Sequence, residues 1–494
     1  MTRAFGRFDL RSRSNGGIVA RMALACMAYV DGHWVDQAQH FEVRDPFDGA
    51  VIAQVTDASD ALVDAAVDAA ARAFSSWRTR PGPERGRLLA RLAQRMLADE
   101  GRLAELCTRE NGKPLAESTA EVRYAASFFT WFAGEAERIY GETIPSSNVG
   151  QRLTVVREPV GPCALITPWN FPYAMLTRKI GAALAAGCTV VAKPAEQTPL
   201  GALALAELCD QVGVPPGVVN IVPAADGARA GSRLVAAPQI RKVSFTGSTQ
   251  VGRMILRTCA DDIKRVSLEL GGNAPFLVFG DADLEAALRG AMVAKFRNSG
   301  QTCVAANRFI LEAPIAESFT QALVEATTAL KVGRGSDPGV ELGPLIDDAA
   351  VAKVRQLVGD AVQRGARLLQ GAPPEGRSRV VAPIVLGGVT RDMAVWREEI
   401  FGPVVALRTA ADEADAIAQA NDTAAGLVAY FYTRDAARQA RVAEALEAGM
   451  VGVNDGLVST AQAPFGGVKQ SGLGREGSRH GIEDYTNLKY VATR

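Results

Sequence analysis

Short β-rich runs that alternate with helical patterns, with Gly and Pro at the joints, predict an α/β protein built on a doubly wound parallel sheet. A second series of such runs follows Cys303, so two α/β domains with a cleft between them are the simplest architecture. The chain has 494 residues, enough for about two to four domains and a large core.

The folded patterns begin at Ala28-Tyr-Val-Asp-Gly-His-Trp34, a short strand and turn, followed by Val43-Arg-Asp-Pro-Phe-Asp-Gly49. From Asp60, the residues Val63, Val67, Ala70, Phe74 and Trp77 fall at helical spacing, with Ser59 or Asp60 placed to cap. A second helix is expected over about 84–109, stopped by Asn111-Gly-Lys-Pro114, and a third over about 117–140. The first series of strands comprises Cys163–Thr167, Thr189–Lys193, Val218–Val222, Lys242–Phe245 and Arg265–Leu270. The second comprises Ala306–Leu311, Val380–Leu386, Val404–Arg408, Gly426–Tyr432 and Gly449–Asn454, with a surface turn near Gly371–Gly376.

Composition narrows the class. Lys plus Arg and Asp plus Glu each number 54, so the charge balance points to neither nucleic acid nor a membrane surface. The seven Cys are scattered without a C-x-x-C pair, as in a reducing compartment. Three His and no cluster at ligand spacing make no metal the expectation. The longest apolar run, Ile180–Ala192, is interrupted and too short to span a bilayer, so a cytoplasmic protein is expected. Residues 1–21 carry five Arg and one Asp without an apolar segment, and read as a disordered extension, residues 1–26, ahead of a start at Met22 or Met27; a targeting segment is the alternative.

The chemistry centres on Lys295-Phe-Arg-Asn-Ser-Gly-Gln-Thr-Cys303, which closes a helix and turns at Gly300. A reactive thiol needs a partly polar site that stabilises thiolate, and Cys303 follows such residues; an inert core cysteine is the competing reading. Glu269 ends a strand pattern at the sheet edge where open α/β folds place ligands, so burial there would raise its pKa towards that of a general base. Gly271-Gly272 lets backbone approach a ligand closely. Asn170, in Pro168-Trp-Asn-Phe-Pro172, offers an amide donor at fixed geometry, as an oxyanion site requires. In Phe245-Thr-Gly-Ser248, Gly247 makes a tight turn and the helix that follows presents free amides to a phosphate. Lys193 and Glu196 could each bind ribose hydroxyls, while Arg178 and Arg297 suit bidentate capture of a carboxylate. An ordinary strand-end turn or a surface salt bridge remains the alternative for each.

Together these blocks resemble the aldehyde dehydrogenase superfamily from about Met27 to Tyr490, with Glu399-Ile-Phe-Gly-Pro403 and Pro464-Phe-Gly-Gly467 as further matches. The nucleophile block and the stretch Phe465–Ser478 are most similar to the succinate-semialdehyde group.

The resemblance implies a Rossmann-type cofactor domain (27–141 and 160–271), an α/β catalytic domain (272–471) and a small β oligomerisation arm (142–159 and 472–494). A homodimer or homotetramer follows from that arm. It implies that Cys303 attacks a small-molecule aldehyde, that Asn170 and the Cys303 amide stabilise the oxyanion, and that Glu269 activates the water that hydrolyses the thioester. Cofactor contacts are implied for Thr167, Trp169, Lys193, Glu196, Gly247, Ser248 and Leu270, with Glu399 and Phe401 at the nicotinamide ribose. Arg178, Arg297 and Ser459 would hold a distal carboxylate. NAD is the expected cofactor because Glu196 would repel a 2′-phosphate, although Lys193 keeps NADP compatible. Ala305 stands where some relatives carry a second Cys, so a disulfide lock is not expected. Glutarate semialdehyde, another ω-semialdehyde or an aromatic aldehyde are the neighbouring substrates. Release of the thioester to coenzyme A, or a non-catalytic binding protein, fits poorly with intact Glu269 and Cys303.

Overall fold

The computed structural model describes residues 26–494, so all but Cys26 of the extension expected over 1–26 lies outside the described residues. Five parallel strands form the heart of an eight-stranded sheet, in the spatial order Arg265–Glu269, Lys242–Thr246, Cys163–Ile166, Val190–Lys193 and Val219–Ile221. The strand order reverses beside Cys163–Ile166, which makes this the doubly wound arrangement with its ligand crevice at the carboxyl edge. Antiparallel strands finish both flanks: Gly472–Leu473 beside Arg265–Glu269, and Ala28–Val30 beside Val219–Ile221.

A second, seven-stranded sheet runs in the order Arg367–Gln370, Ile384–Gly387, Val404–Ala410, Ala306–Glu312, Ala274–Val278, Val428–Tyr432 and Met450–Val453. Its six strands from Ile384–Gly387 onwards are parallel. Leu270–Asn273 is the direct crossing between the sheets, leaving the carboxyl end of one strand and entering the amino end of another. The carboxyl edge of the first sheet therefore faces the amino edge of the second. A third sheet pairs Arg152–Pro159 with Glu142–Ile144 and Thr486–Thr493, all antiparallel.

Most of the expected strands appear within a few residues of their bounds, but the pattern missed Ala274–Val278. That strand is buried along its length and starts directly after the crossing, with only four residues separating it from Arg265–Glu269. The strand expected from Val380 begins at Ile384, after Pro383, whose nitrogen has no hydrogen to give the ladder. The single helix expected over 84–109 is two, Gly82–Ala98 and Glu100–Asn111, broken at Asp99 with φ −110° and ψ 18°. Asp favours helix ends, and Arg102 Nε holds its carboxylate at 2.8 Å. The third helix spans Leu115–Glu135 and stops short of Tyr140. Ser59 does cap Asp60–Trp77, accepting from the Leu62 amide.

Helix Ala174–Ala186 is buried at every position, sandwiched between the first sheet and the layer formed by Gly82–Ala98 and Leu115–Glu135. A helix buried on all sides tolerates charge only where the charge is paired. This requirement bears directly on Arg178 and Lys179.

The turn ahead of Cys303 is the most constrained piece of backbone at the junction of the sheets. Asn298 (φ 49°), Ser299 (φ 55°) and Gly300 (φ 76°) are left-handed in succession. A Cβ on Gly300 would stand 2.3 Å from the Gly402 carbonyl oxygen. Gly300→Ala is expected to destabilise the fold by at least about 1–3 kcal/mol from the backbone conformation alone, with the collision added. Thermal unfolding followed by circular dichroism checks this; an unchanged midpoint would contradict the constraint.

Candidate active site

Cys303 sits at the amino edge of the second sheet, on the turn that follows helix Leu284–Phe296. Several side chains tie that turn down. Ser299 Oγ donates to the Gly343 carbonyl at 2.8 Å, Gln301 Nε2 donates to the Asn298 carbonyl at 3.2 Å, and Gln301 Oε1 accepts from the Ile346 amide at 2.9 Å. Burial pushes the Cys303 thiol up to about 12; Arg178 and Arg297 pull it down, while Glu269 and Glu399 add to the rise. Burial thus favours the protonated thiol, and a nucleophilic role for Cys303 would require that proton to leave during attack.

Asn170 follows the strand Cys163–Ile166 and is buried. Its Nδ2 donates to the Gln301 carbonyl at 3.0 Å, which fixes the amide plane and leaves the second N–H of that nitrogen for another acceptor. The oxyanion candidate is thus tied to the nucleophile turn itself.

Glu269 ends Arg265–Glu269, is 2% exposed, and neither carboxylate oxygen has a hydrogen-bond partner among the described residues. Burial pushes its carboxyl well above the usual range; Glu476 pushes the same way, and Arg178 and Lys179 oppose it. A buried carboxyl without partners is costly, and such groups concentrate where chemistry needs a base.

Two residues of this network escaped the sequence reading. Glu476 forms ion pairs with Arg178 and with Lys179, and Lys179 Nζ also donates to Ser244 Oγ at 3.0 Å. Burial works to raise Glu476, yet the two cations hold it below its ordinary value. Lys179 was legible as a second consecutive base inside an apolar helix; Glu476, at the far end of the chain, carried no such signal.

The three candidates for a distal carboxylate differ in state. Arg178 is 1% exposed, lies 4.5 Å over the Phe465 ring and is already paired with Glu476, although its Nη2 has no hydrogen-bond partner among the described residues. Arg297 is half-buried, 5.3 Å from the Phe171 ring centroid, and has no carboxylate within salt-bridge distance among the described residues. Ser459 is half-buried beside Val458, which packs on the same apolar cluster as Cys303 and Phe465.

At the carboxyl edge of the first sheet, Ser248 caps helix Thr249–Ala260 by accepting from the Val251 amide at 3.3 Å. Gly247 donates its amide to the Glu269 carbonyl at 3.0 Å, and Leu270, buried, packs against Gly252 of that helix. Thr167, buried, donates its amide to the Lys193 carbonyl at 3.3 Å, and Lys193 Nζ lies 3.4 Å from Glu196 Oε2. Glu399 Oε1 accepts from the Gly272 amide at 3.0 Å, and burial pushes its carboxyl up to about 7. Phe401, at φ 56°, packs edge-on against Trp169 with centroids 5.5 Å apart. A bulky residue in that conformation is an outlier of the kind that clusters at functional sites.

The aldehyde dehydrogenase family model matches residues 34–491. The chain belongs to that family. It is 51% identical to the NADP-named succinate-semialdehyde dehydrogenase of Escherichia coli, covering 94% of this chain and 97% of the relative. A glutarate-semialdehyde dehydrogenase of Pseudomonas aeruginosa is 50% identical over 94% of this chain and 96% of its own length. The crystal structure of an NADP-dependent enzyme of E. coli superposes with TM-score 0.93 at 50% identity, covering 95% of this chain and 98% of that one.

The residues present fit the family's nicotinamide cofactor. A Cβ on Gly271 would meet Glu399 Oε2 at 2.9 Å and one on Gly227 would meet Lys193 Nζ at 2.8 Å, so both approaches are kept open by glycine. Thr246 Oγ1, at the same edge, is buried without a partner among the described residues. Among the described residues no group of His, Cys, Asp or Glu is placed to hold a metal ion, and no helix is long and apolar enough to cross a membrane.

The high pKa of Cys303 sets a measurable signature. Alkylation by iodoacetamide is expected to rise about tenfold per pH unit between pH 7 and 9 without levelling, because only thiolate reacts. A plateau below pH 9 would contradict a thiol held near 12 by burial.

Proposed function

We propose that this aldehyde dehydrogenase oxidises an aldehyde that carries a carboxylate at its far end, succinate semialdehyde first, to the dicarboxylate. The observation that carries this reading is Arg297, a cation on an aromatic face near the thiol that makes no ion pair among the described residues. Arg178 Nη2, which has no hydrogen-bond partner among the described residues, and the half-buried Ser459 support it as further donors. A substrate carboxylate held there would give Arg297 the pairing that its surroundings withhold. The glutarate homologue is the second reading, favoured by the Pseudomonas relative; one methylene changes discrimination only about 10–200-fold.

In this reading Cys303 Sγ adds to the aldehyde carbon while its proton passes to Glu269, which releases it to solvent before the hydrolytic step, and the developing oxyanion takes hydrogen bonds from the free N–H of Asn170 and the Cys303 amide. Bound NAD supplies the acceptor for the hydride that the resulting thiohemiacetal loses. Glu269 then takes a proton from water as that water attacks the thioester, and Arg178 and Lys179 stabilise the Glu269 carboxylate against burial. Lys193 and Glu196 would hold the adenosine ribose, the amides beginning Thr249–Ala260 the pyrophosphate, and Glu399 with Phe401 the nicotinamide ribose. We assign the eight-stranded sheet to cofactor binding (27–141 and 160–271), the seven-stranded sheet to catalysis (272–471), and 142–159 with 472–494 to an arm.

That arm exposes Leu488, Tyr490, Val156 and Ile144, which supports pairing with a second copy in a homodimer or homotetramer. A cytoplasmic location accords with seven cysteines that include no disulfide among the described residues.

Arg297→Ala is expected to raise KM for succinate semialdehyde about 10–100-fold, the worth of a charge-assisted hydrogen bond, while a neutral aldehyde of similar length changes less than about threefold. Equal losses on both aldehydes in steady-state assays would remove the carboxylate assignment. In the same assay kcat/KM with NAD should exceed that with NADP, and Glu196→Ser should narrow the gap by lowering KM for NADP. If NADP is preferred by the unmodified enzyme, Glu196 does not discriminate.

A further inference from the structure

The turn that ends helix Glu100–Asn111 and the start of helix Leu115–Glu135 reach both halves of the oxyanion site. Lys113, 1% exposed, donates from Nζ to the Asn170 carbonyl at 2.6 Å and pairs with Glu121 Oε2 at 2.5 Å. Its ammonium also lies 4.0 Å from the Phe171 ring centroid. Glu121 is held in turn: its Oε1 accepts from the amides of Tyr173 at 2.9 Å and Ala174 at 3.3 Å. One helical turn before Glu121, Glu117 Oε2 accepts the amide of Asn298 at 2.7 Å, the first left-handed residue of the nucleophile turn. Asn298 Nδ2 closes the circuit by donating to the Asn170 carbonyl at 3.0 Å.

We propose that the segment Asn111–Glu121 is a positioning bracket for the oxyanion site, with Lys113 setting the Asn170 side and Glu117 setting the Cys303 side. The inference rests on the reading of Asn170 and the Cys303 amide as oxyanion donors. Two donors on one carbonyl fix the 170–171 peptide, and with it the direction in which the Asn170 side chain leaves the backbone. A hydrogen bond to the Asn298 amide stabilises a conformation that is unfavourable for a residue with a side chain. Both constraints issue from one short stretch of rigid helix, so the spacing between the two donors follows the geometry of that helix. Such donors act by preorganisation, and a displacement of about 1 Å costs about a hundredfold in rate. Lys113 and Glu121 cancel as an ion pair, so on the Asn170 side the bracket adds no net charge beside the developing anion. A buried ion pair is weak evidence for stability, since an apolar pair of equal volume often does as well. A positioning role accounts for its presence on the Asn170 carbonyl.

The test is a double-mutant cycle on the full-length enzyme, reading the single-turnover rate of reduced nicotinamide formation from succinate semialdehyde. Asn170→Ala is expected to lower that rate about 10²–10³-fold and Lys113→Met about tenfold or more, with KM for NAD unchanged. The variant carrying both should be no slower than Asn170→Ala alone, because Lys113 acts through Asn170. Alkylation of Cys303 by iodoacetamide, which needs no oxyanion donor, should stay within about threefold of the unmodified enzyme in Lys113→Met. Glu117→Ala should lose rate and Glu117→Gln, which keeps a carbonyl acceptor for the Asn298 amide, should recover it. The bracket is overturned if Lys113→Met costs the same factor with and without Asn170, or if alkylation falls in step with turnover. Should Lys113→Met fail to fold, the Glu117 pair decides: equal rates in Glu117→Ala and Glu117→Gln overturn the bracket. An Asn170→Ala enzyme that keeps its rate would instead overturn the oxyanion reading on which the bracket stands.

Discussion

Charge neutrality in a dry junction is the constraint on which the rest of the site depends. Glu269 and Cys303 lie where the carboxyl edge of one parallel sheet meets the amino edge of another, and burial drives both towards their uncharged forms. Arg178 and Lys179 supply two positive charges at the same place, and Glu476 cancels one of them. With Glu269 ionised, the four groups sum to zero; with Glu269 protonated, they carry one excess positive charge. Taking unmatched charge out of water costs several kcal/mol per ion. The cations therefore oppose what burial does to the base, and a carboxylate can exist there without emptying the network of its balance. Removing Glu476 would leave two adjacent cations in a helix that is buried all round, which is why its place is as constrained as that of the reacting groups.

The same junction explains where backbone strain is stored. Sequence dictates a helix up to Phe296 and a strand from Ala306, and the turn between them must present a thiol towards the other sheet. Three left-handed residues achieve that reversal in the least chain, and Gly300 occupies the one position among them where Gly402 leaves no room for a side chain. On the neighbouring strand entrance Phe401 is forced to a positive φ, and its ring is then caught by Trp169 from the first sheet. Strain on one sheet is thus held by packing against the other, so the site forms only when the two are docked.

Much of the fold was legible because the parallel strands are short apolar runs between turn residues, and these patterns are local. The break at Asp99 was hidden because both flanking segments keep helical spacing of apolar residues, so the periodicity continues through a change of axis. Ala274–Val278 was hidden for the opposite reason: the chain passes from one sheet to the next in four residues, with no helical pattern between the two strands. At the site, the candidate residues could be singled out because each stands beside turn chemistry. Their partners could not. Lys113 read as part of a helix stop, and Glu476 stood in a matched block without a role. Each became meaningful through a contact made by the folded chain, Lys113 with the Asn170 carbonyl and Glu476 with Lys179 across 297 residues.

Matched charge also tells what the site still lacks. Lys113 answers Glu121, Arg178 and Lys179 answer Glu476 and Glu269, and the buried Lys295, drawn down to about 7 by burial, donates to Asn307 Oδ1 at 3.0 Å. Arg297 departs from this pattern. It is half in solvent, rests on the Phe171 ring, and has no carboxylate within salt-bridge distance among the described residues. A neutral aldehyde entering beside it would strip water from the guanidinium and return nothing, whereas a carboxylate would replace that water with paired hydrogen bonds. On the proposed reading, discrimination comes as much from the penalty on the neutral aldehyde as from attraction for the charged one.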